Sequence, residues 1–274
     1  MVSIWSFATL TLLALGNSRS VAATGTVNHT LCPPDSAPAN WTSSSLTPIH
    51  IGSTDVFFFD NPRSHDLLLV FPDVYGMDSG RSKENCAKLS ALYNVAFVDL
   101  ATDYLVDFDL PRLVAWLESH PFESLLPKIQ QVISHFKTKR RVDKVAAVGY
   151  CWGAWVVAKY SSTPRTELSA GISFHPSWTA EEAFHGPGSG AAIANNITVP
   201  QLILTAGNDE EWIQPRGQVD QTLRARHVPA RLREFQNVTH GWMNRGNLTD
   251  SAVALAFHQA LYDETLPFLH SYLH

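Results

Sequence analysis

Seven short apolar runs, separated by helix-like segments, follow one another after about residue 50 and constrain what this chain can fold into. Most of them are continuously apolar rather than alternating, which is typical of parallel strands covered on both faces. Strand–helix alternation of this kind predicts an α/β fold, a mostly parallel sheet with right-handed crossovers and helices on both sides. The predicted strands are Asp55–Phe59, Leu67–Phe71, Val95–Asp99, Lys144–Val148, Ala170–Phe174, Gln201–Thr205 and Arg231–Phe235.

Helical patterns occupy the intervals between these strands. The chain has 274 residues, enough for one domain with a full core, and no repeat or linker divides it. We predict a single domain over residues 51–274, preceded at 24–50 by an irregular arm rich in Ser, Thr, Pro and Asn. The predicted helices are 80–93, 110–118, 122–138, 152–161, 178–185, 215–227 and a closing helix near 250–270.

The first residues predict export. The apolar run from Ile4 to Leu15 is too short to cross a bilayer, which needs about 20 apolar residues. A polar stretch follows it, and then Val21-Ala22-Ala23 offers a signal peptidase site. We therefore predict a signal peptide at 1–23 and a secreted protein that starts near Thr24. A buried N-terminal helix is the alternative interpretation.

Glycosylation sequons support export. Five N-x-[ST] triplets are predicted to carry sugar, and they begin at Asn28, Asn40, Asn196, Asn237 and Asn247. The sequence contains no later apolar segment of spanning length and no GPI-type tail, so we expect no membrane span. The net charge of −5 argues against a nucleic-acid partner. The oligomeric state is left open, with a monomer as the default expectation.

Three cysteines in an oxidising compartment raise the question of which one is unpaired. Cys32 lies in a loop-like segment of the arm, and Cys86 lies on a predicted helix. A disulfide between them would fix the arm and leave Cys151 as a thiol. The cysteines are scattered and no His pair has HExxH-type spacing, so we predict no metal site.

Cys151 is the candidate nucleophile. It lies in Gly149-Tyr150-Cys151-Trp152-Gly153, between a predicted strand and a predicted helix, the arrangement of a nucleophile elbow with Cys in place of Ser. The glycines avoid collisions between strand and helix, and the Trp152 N–H at the helix start can stabilise an oxyanion. The positive helix end also favours the thiolate. A buried structural Cys is the alternative.

A carboxylate and a histidine follow at the ends of the next strands. Asp209 comes after Gln201–Thr205 with the best spacing for the acid that orients a histidine, and Glu210 is the alternative. His240 lies in the loop after the last predicted strand and is the candidate general base. Nucleophile, acid and histidine then have the chain order of an α/β-hydrolase. The Val74 N–H, after Leu67–Phe71, is the candidate second oxyanion donor.

These segments together resemble the dienelactone hydrolase family. The resemblance rests on PDVYGM at 72–77, VDL at 98–100, GYCWGA at 149–154, AGND at 206–209 and HGW at 240–242, in the family's order. It implies a single-domain α/β-hydrolase fold, a Cys-His-Asp triad, no cofactor and a small ester or lactone as substrate. The HGWMNRG segment is most similar to eukaryotic members.

The resemblance also implies candidate substrate-binding residues, namely Asp73, Tyr75 and Arg245. Bacterial members have a Glu at the position of Asp73 that holds the resting thiol protonated. They also bind a substrate carboxylate with an arginine after the strand end that corresponds to VDL, whereas Asp99–Tyr104 contains no Arg. His175-Pro176-Ser177 is interpreted as a turn in the pocket wall.

Three functions remain open from the sequence. The first is a secreted thiol hydrolase acting on small esters or lactones. The second is a secreted small-molecule-binding protein on the same fold, which a lost triad member would favour, although none is lost. The third is a different chemistry at the same cysteine. It is acyl transfer, because a thioester can be intercepted by a group other than water, or redox exchange, which usually relies on a nearby partner thiol that Cys151 lacks in the sequence.

Overall fold

Eight strands form one sheet in the structure, a computed structural model that describes residues 46–274. The spatial order of the strands is β1-β2-β4-β3-β5-β6-β7-β8. The strands are β1 (Ile49–Ile51), β2 (Thr54–Phe59), β3 (Asp66–Phe71), β4 (Asn94–Val98), β5 (Lys144–Tyr150), β6 (Ala170–Phe174), β7 (Gln201–Ala206) and β8 (Ala230–Phe235).

The sheet is mostly parallel, as predicted. Only the first two strands run antiparallel, β1 to β2 and β2 to β4, and every pairing from β4 to β8 is parallel. The strands β3, β4, β6 and β7 are buried along their whole length. Continuous apolar runs therefore appear where both faces of a strand are covered.

Helices cover both faces of the sheet. They are α1 (Ser82–Leu89), α2 (Leu110–Ser119), α3 (Phe122–Lys139), α4 (Trp152–Ser161), α5 (Glu182–His185), α6 (Ser189–Ala192), α7 (Gln218–Ala225), α8 (Trp242–Arg245), α9 (Ser251–His258) and α10 (Leu266–Leu273). Leu67 and Leu69 pack with α2, α3 and α4 on one face, and Leu68 and Val70 pack with α1 and the C-terminal helices on the other. Two apolar layers thus hold β3 between them.

One predicted boundary was wrong. Strand β1 begins at Ile49, inside the segment 24–50 that was predicted to be irregular. It is only three residues long and is paired through the tight turn at Gly52, which has a φ of 62°, so its sequence gives no periodic signal. The predicted closing helix near 250–270 is confirmed: helical structure runs without a break from Ser251 to Leu273, and its middle part, Gln259–Thr265, is π-helical.

Several predicted features fall outside the described residues. These are the signal peptide, most of the arm, Asn28, Cys32 and Asn40. Within residues 46–274, no helix combines the length and apolar character needed to cross a membrane.

Candidate active site

Cys151 lies between β5 and α4 in a strained backbone conformation. Its φ is 55° and its ψ is −113°, values that a residue with a side chain rarely adopts. The flanking glycines permit this turn: a Cβ at Gly149 would collide with the carbonyl of Gly153, and a Cβ at Gly153 would collide with the carbonyls of Phe71 and Pro72. The strand–turn–helix geometry therefore follows directly from the G-x-C-x-G pattern.

His240 and Asp209 form a close pair next to this turn. The Nδ1 of His240 is 2.7 Å from the Oδ1 of Asp209, and the other carboxylate oxygen, Oδ2, accepts a hydrogen bond from the Ala206 N–H at 2.7 Å. The side chain of Asn208 accepts a hydrogen bond from the His240 N–H at 2.7 Å. The turn after β7 thus fixes both the ring and the backbone of the histidine.

Ser177 contacts both the thiol and the imidazole, which also interact directly with each other. Its Oγ is 3.2 Å from the Cys151 Sγ and 3.4 Å from the His240 Nε2. The Ser177 N–H also donates to the Cys151 carbonyl at 3.1 Å, which ties the turn after β6 to the elbow. A hydroxyl can accept one hydrogen bond and donate another, so Ser177 can connect the two groups.

The electrostatics favour a protonated His240. Burial alone would lower its pKa, but the Asp209 carboxylate and the Cys151 thiolate outweigh burial and raise the pKa well above its ordinary value. The adjacent Glu210 has no hydrogen bond to His240 in the described structure, and burial, followed by repulsion from Asp209, raises the pKa of Glu210. Of the two acids considered from the sequence, Asp209 is the one that contacts the imidazole.

A second imidazole packs against the first. His175 follows β6, has a φ of 36°, is fully buried, and its ring centroid is 5.0 Å from that of His240. The side chain of Asn244 is a hydrogen-bonding neighbour of this ring. Burial, and next the charge of His240, keep the pKa of His175 well below its ordinary value.

A cavity of about 480 Å³ opens beside the thiol. Its wall includes Cys151, Trp152, Ser177, Val74 and Tyr75. Trp152 is the first residue of α4, so its N–H has no acceptor within the helix and can serve a ligand. The two predicted oxyanion donors, Val74 and Trp152, therefore flank the same space as the nucleophile.

Asp73 is fully buried and makes hydrogen bonds with its protein neighbours. Its Oδ1 accepts from the Tyr75 N–H at 3.0 Å, and its Oδ2 accepts from Ser79 Oγ at 2.7 Å and from Asn244 Nδ2 at 2.8 Å. Burial, followed by the nearby Cys151, raises the pKa of Asp73 to about 6. The described wall of the cavity does not include Asp73, which was predicted to bind substrate.

The remaining two predicted substrate-binding residues pack against each other. The Arg245 guanidinium carbon lies 4.1 Å from the centroid of the Tyr75 ring. Tyr75 lines the cavity, whereas Arg245 is not among the described residues of its wall. Arg245 therefore contacts Tyr75, a residue of the cavity wall, without being part of the described wall itself.

The predicted Cys32–Cys86 disulfide is not seen. Cys86 is a free thiol, completely buried among the side chains of one core layer, and burial raises its pKa. Its predicted partner, Cys32, lies outside the described residues. The sequon residues Asn196, Asn237 and Asn247 are exposed, and their glycosylation stays a prediction.

Sequence reasoning missed three residues that support the site. Ser177 was assigned only to the pocket wall, while Asn208 and Asn244 were not considered. Ser177 and Asn208 follow strand ends, at the edge of the sheet where working groups collect, so their position was a usable signal, whereas Asn244 lies in α8. Their hydrogen bonds depend on how separate turns meet in space. No three His, Cys, Asp or Glu side chains between residues 46 and 274 form a group that could hold a metal ion.

Comparisons with known proteins agree with this geometry. The model of the dienelactone hydrolase family matches residues 57–273. The chain belongs to the dienelactone hydrolase family. A carboxymethylenebutenolidase homolog from Xenopus tropicalis is 23% identical over 217 residues, which cover 75% of this chain and 82% of that protein. Dienlactone hydrolase 1 from Gibberella moniliformis is 26% identical over 203 residues, covering 68% of this chain and 71% of that protein.

The fold is that of dienelactone hydrolases of known structure. A putative dienelactone hydrolase from Klebsiella pneumoniae has a TM-score of 0.61 with 16% identity, over 76% of this chain and 91% of that chain. The α/β-hydrolase fold predicted from the sequence is therefore confirmed. Membership of the family also makes this dienelactone hydrolase homologue a hydrolase of ester or lactone bonds that acts on small molecules.

Proposed function

We propose that the protein hydrolyses small carboxylic esters or lactones through a thioester on Cys151, outside the cytosol. The observation that carries this proposal is the aligned set of a thiol, an imidazole and a carboxylate, in which His240 Nδ1 lies 2.7 Å from Asp209 Oδ1. An imidazole held in this way by a carboxylate is oriented to exchange protons at its other nitrogen.

In the first half-reaction, the proton of Cys151 passes to the adjacent His240, which gives the thiolate–imidazolium pair that the raised pKa of His240 favours, and the sulfur attacks the carbonyl carbon. The N–H groups of Val74 and Trp152 stabilise the oxyanion. When the tetrahedral intermediate collapses, the carbon–oxygen bond to the leaving group breaks, and His240 donates a proton to the departing oxygen. The products of this step are an alcohol, or the free end of an opened lactone, and an acylated Cys151.

In the second half-reaction, water replaces the alcohol. His240 takes a proton from the water, the hydroxide attacks the thioester, and the carbon–sulfur bond breaks to release the acid and the thiolate. Asp209 stabilises the imidazolium that forms twice in this cycle. The buried setting supports the scheme, because electrostatic interactions are stronger where water is excluded.

Intact mass spectrometry over seconds tests the thioester. The protein from Thr24 onward is mixed with p-nitrophenyl acetate, alongside Cys151→Ala and the matched variant Cys86→Ala, which removes the other described thiol. We expect an acetyl adduct that maps to Cys151, decays with turnover, is absent from Cys151→Ala and persists in Cys86→Ala. An adduct that does not decay points to acyl transfer, and a folded protein with neither adduct nor turnover contradicts the proposal.

Secretion has an independent test. The proposal rests on the N-terminal apolar segment and the five sequons, of which Asn196, Asn237 and Asn247 are exposed. Expression of the full chain in cultured eukaryotic cells should yield protein in the medium that begins near Thr24. Treatment with an N-glycosidase should lower its mass. Retention inside the cells with an intact N-terminus would contradict secretion.

A further inference from the structure

The cavity beside Cys151 has an apolar wall. One helix supplies much of it, because Leu110, Leu113, Val114 and Leu117 of α2 all face the cavity, and Phe108 precedes them. The volume of about 480 Å³ exceeds what an acetyl group needs and lies in the range of pockets for drug-sized ligands. The nucleophile thus adjoins space for an apolar group.

The charged side chains of this wall are acidic. Glu118 and Glu182 line the cavity, and no Lys or Arg is found among the described residues of the wall. Glu182 accepts a hydrogen bond from the Gly188 N–H at 2.9 Å, while Glu118 lies exposed in the last turn of α2. A substrate carboxylate would face two carboxylates without a compensating cation, which opposes its binding.

The apolar surface continues outside the cavity. Phe108, Leu110 and Val114 line the cavity and are also 40%, 50% and 40% exposed. Val106, two residues before Phe108, is 89% exposed. Neighbouring exposed apolar residues are a feature of binding sites rather than of ordinary protein surface. These four residues, Val106, Phe108, Leu110 and Val114, form an apolar strip that is exposed to solvent and is continuous with the cavity beside Cys151.

We infer that the substrate is an uncharged ester or lactone with an apolar chain or ring, which lies along α2 while the carbonyl reaches Cys151. The inference rests on the proposed function of Cys151 and names the substrate class for it. An anionic lactone would need a cation in the wall to bind its carboxylate. The described wall instead offers apolar contacts and two negative charges, so we expect an uncharged substrate.

A matched pair of esters tests the effect of a negative charge on the substrate. p-Nitrophenyl hexanoate and the mono-p-nitrophenyl ester of adipate have chains of the same length, and only the adipate ester ends in a carboxylate. We expect kcat/KM for the hexanoate ester to be at least about 100-fold higher. Along the series acetate, butyrate and hexanoate, kcat/KM should rise by up to about fourfold per methylene, as expected for apolar burial. Equal rates for the hexanoate and adipate esters, or no rise along the series, would overturn the inference.

Two variants test whether the wall of this cavity causes the preference for an uncharged substrate. Glu118→Arg should shift the adipate-to-hexanoate ratio of kcat/KM toward adipate by about tenfold, because it replaces a repelling charge with an attracting one. The control Glu123→Arg makes the same change at an exposed position in the first turn of α3 and should leave the ratio within about twofold. If both variants shift the ratio equally, the effect comes from net charge, and the assignment to the cavity is overturned.

A second pair of variants tests whether α2 binds the apolar chain of the substrate. Val114→Asn should lower the hexanoate-to-acetate ratio of kcat/KM at least about threefold. Leu255→Asn, at an exposed apolar residue of α9, should leave this ratio unchanged. A ratio does not depend on the fraction of folded protein, so partial misfolding cannot imitate the result. An unchanged ratio in Val114→Asn would overturn the assignment of the chain to α2.

The outcomes separate this inference from the function on which it rests. If p-nitrophenyl acetate acylates Cys151 and turns over, but neither chain length nor charge matters, only the substrate class is wrong. If folded protein shows no adduct with any of these esters, the thioester proposal fails together with the substrate class.

Discussion

His175 and His240 lie side by side, with ring centroids 5.0 Å apart, yet their pKa values are shifted in opposite directions. Both are buried, and burial lowers the pKa of each. His240 faces the carboxylate of Asp209 and the sulfur of Cys151, whereas no acidic group contributes to the shift of His175. Of these two buried imidazoles, only the one that faces an acid has a raised pKa.

The comparison extends to the two turns that carry these residues. The turn after β6 brings Ser177 against the sulfur and holds His175 in a left-handed conformation. The loop after β8 is held by the turn after β7, through Asn208 and Asp209. The turn after β6 supplies a hydroxyl and a packing surface, and the loop after β8 carries the imidazole that we propose as the general base.

Removing the acid should have the largest effect. Asp209→Asn should lower the pKa of His240 toward the low value of its neighbour and reduce kcat by about 10³- to 10⁴-fold, as in other enzymes whose histidine loses its carboxylate. NMR titration of the His240 ring and the kcat of p-nitrophenyl ester hydrolysis measure the two effects. Glu210→Gln is the matched control and should keep kcat within about threefold. A larger loss from Glu210→Gln than from Asp209→Asn would make Glu210 the orienting acid.

Removing the connecting hydroxyl should have a smaller effect. Ser177→Ala removes a hydroxyl that contacts both Cys151 Sγ and His240 Nε2, and we expect kcat/KM to fall about tenfold, the value of one hydrogen bond of about 1.4 kcal/mol. The rate of Cys151 alkylation by iodoacetamide, followed against pH, should shift to higher pH. Thr179→Val removes another hydroxyl from the wall of the same cavity and should leave that profile in place. Identical profiles for Ser177→Ala and the unmodified protein would exclude a role in activating the thiol.

Asp73 provides a test in which the hydrogen-bond partners of the acid are neutral. Its pKa of about 6 exceeds the ordinary value of 3.8, so the folded state keeps a proton that the unfolded state loses between these pH values. Stability should therefore decline as the pH rises from about 4 to about 6, by about 2–3 kcal/mol in total, and stay lower above pH 6. Asp73→Asn should abolish this decline in urea unfolding and, by removing a negative charge near the sulfur, raise the alkylation rate of Cys151 about threefold at pH 7.

The control for this test is Asp78→Asn, at an exposed aspartate in the same loop, which should keep the decline. The Asn244 amide donates to Asp73 at 2.8 Å, and a rotation of this amide can present its carbonyl to the NH₂ group of an asparagine at position 73. The substitution is therefore compatible with the fold. An unchanged pH dependence of stability in Asp73→Asn would mean that another group binds the proton.

The sequence was sufficient to predict the parts that depend on one strand and the turn after it. The Gly149–Gly153 pattern predicted the elbow, and the order of Cys151, Asp209 and His240 matched strand ends that the fold brings together. Continuous apolar runs predicted the central strands because both faces of each are buried. These features are local, so their physical cause is visible in the sequence.

Features that depend on several turns could not be predicted in this way. The Ser177 hydroxyl becomes relevant only because the turn after β6 donates a backbone hydrogen bond to the Cys151 carbonyl. The position of Asp73 behind the cavity wall depends on Asn244, which is distant in the chain. Strand β1 was missed for the same reason, since three residues become a strand only by pairing with β2.

The smallest effect on catalysis is expected at the neutral imidazole. His175→Asn should leave kcat/KM within about twofold and its pH profile unmoved, because His175 carries no charge that His240 could respond to near neutral pH. Asparagine tolerates the positive φ of this position, but the lost ring leaves a void that should lower the free energy of unfolding by about 1–3 kcal/mol. The same substitution at His240 should abolish turnover. If His175→Asn instead moved the midpoint of the pH profile by more than about half a pH unit, the two imidazoles would share their proton, and the carboxylate alone would not explain why only one of them is the base.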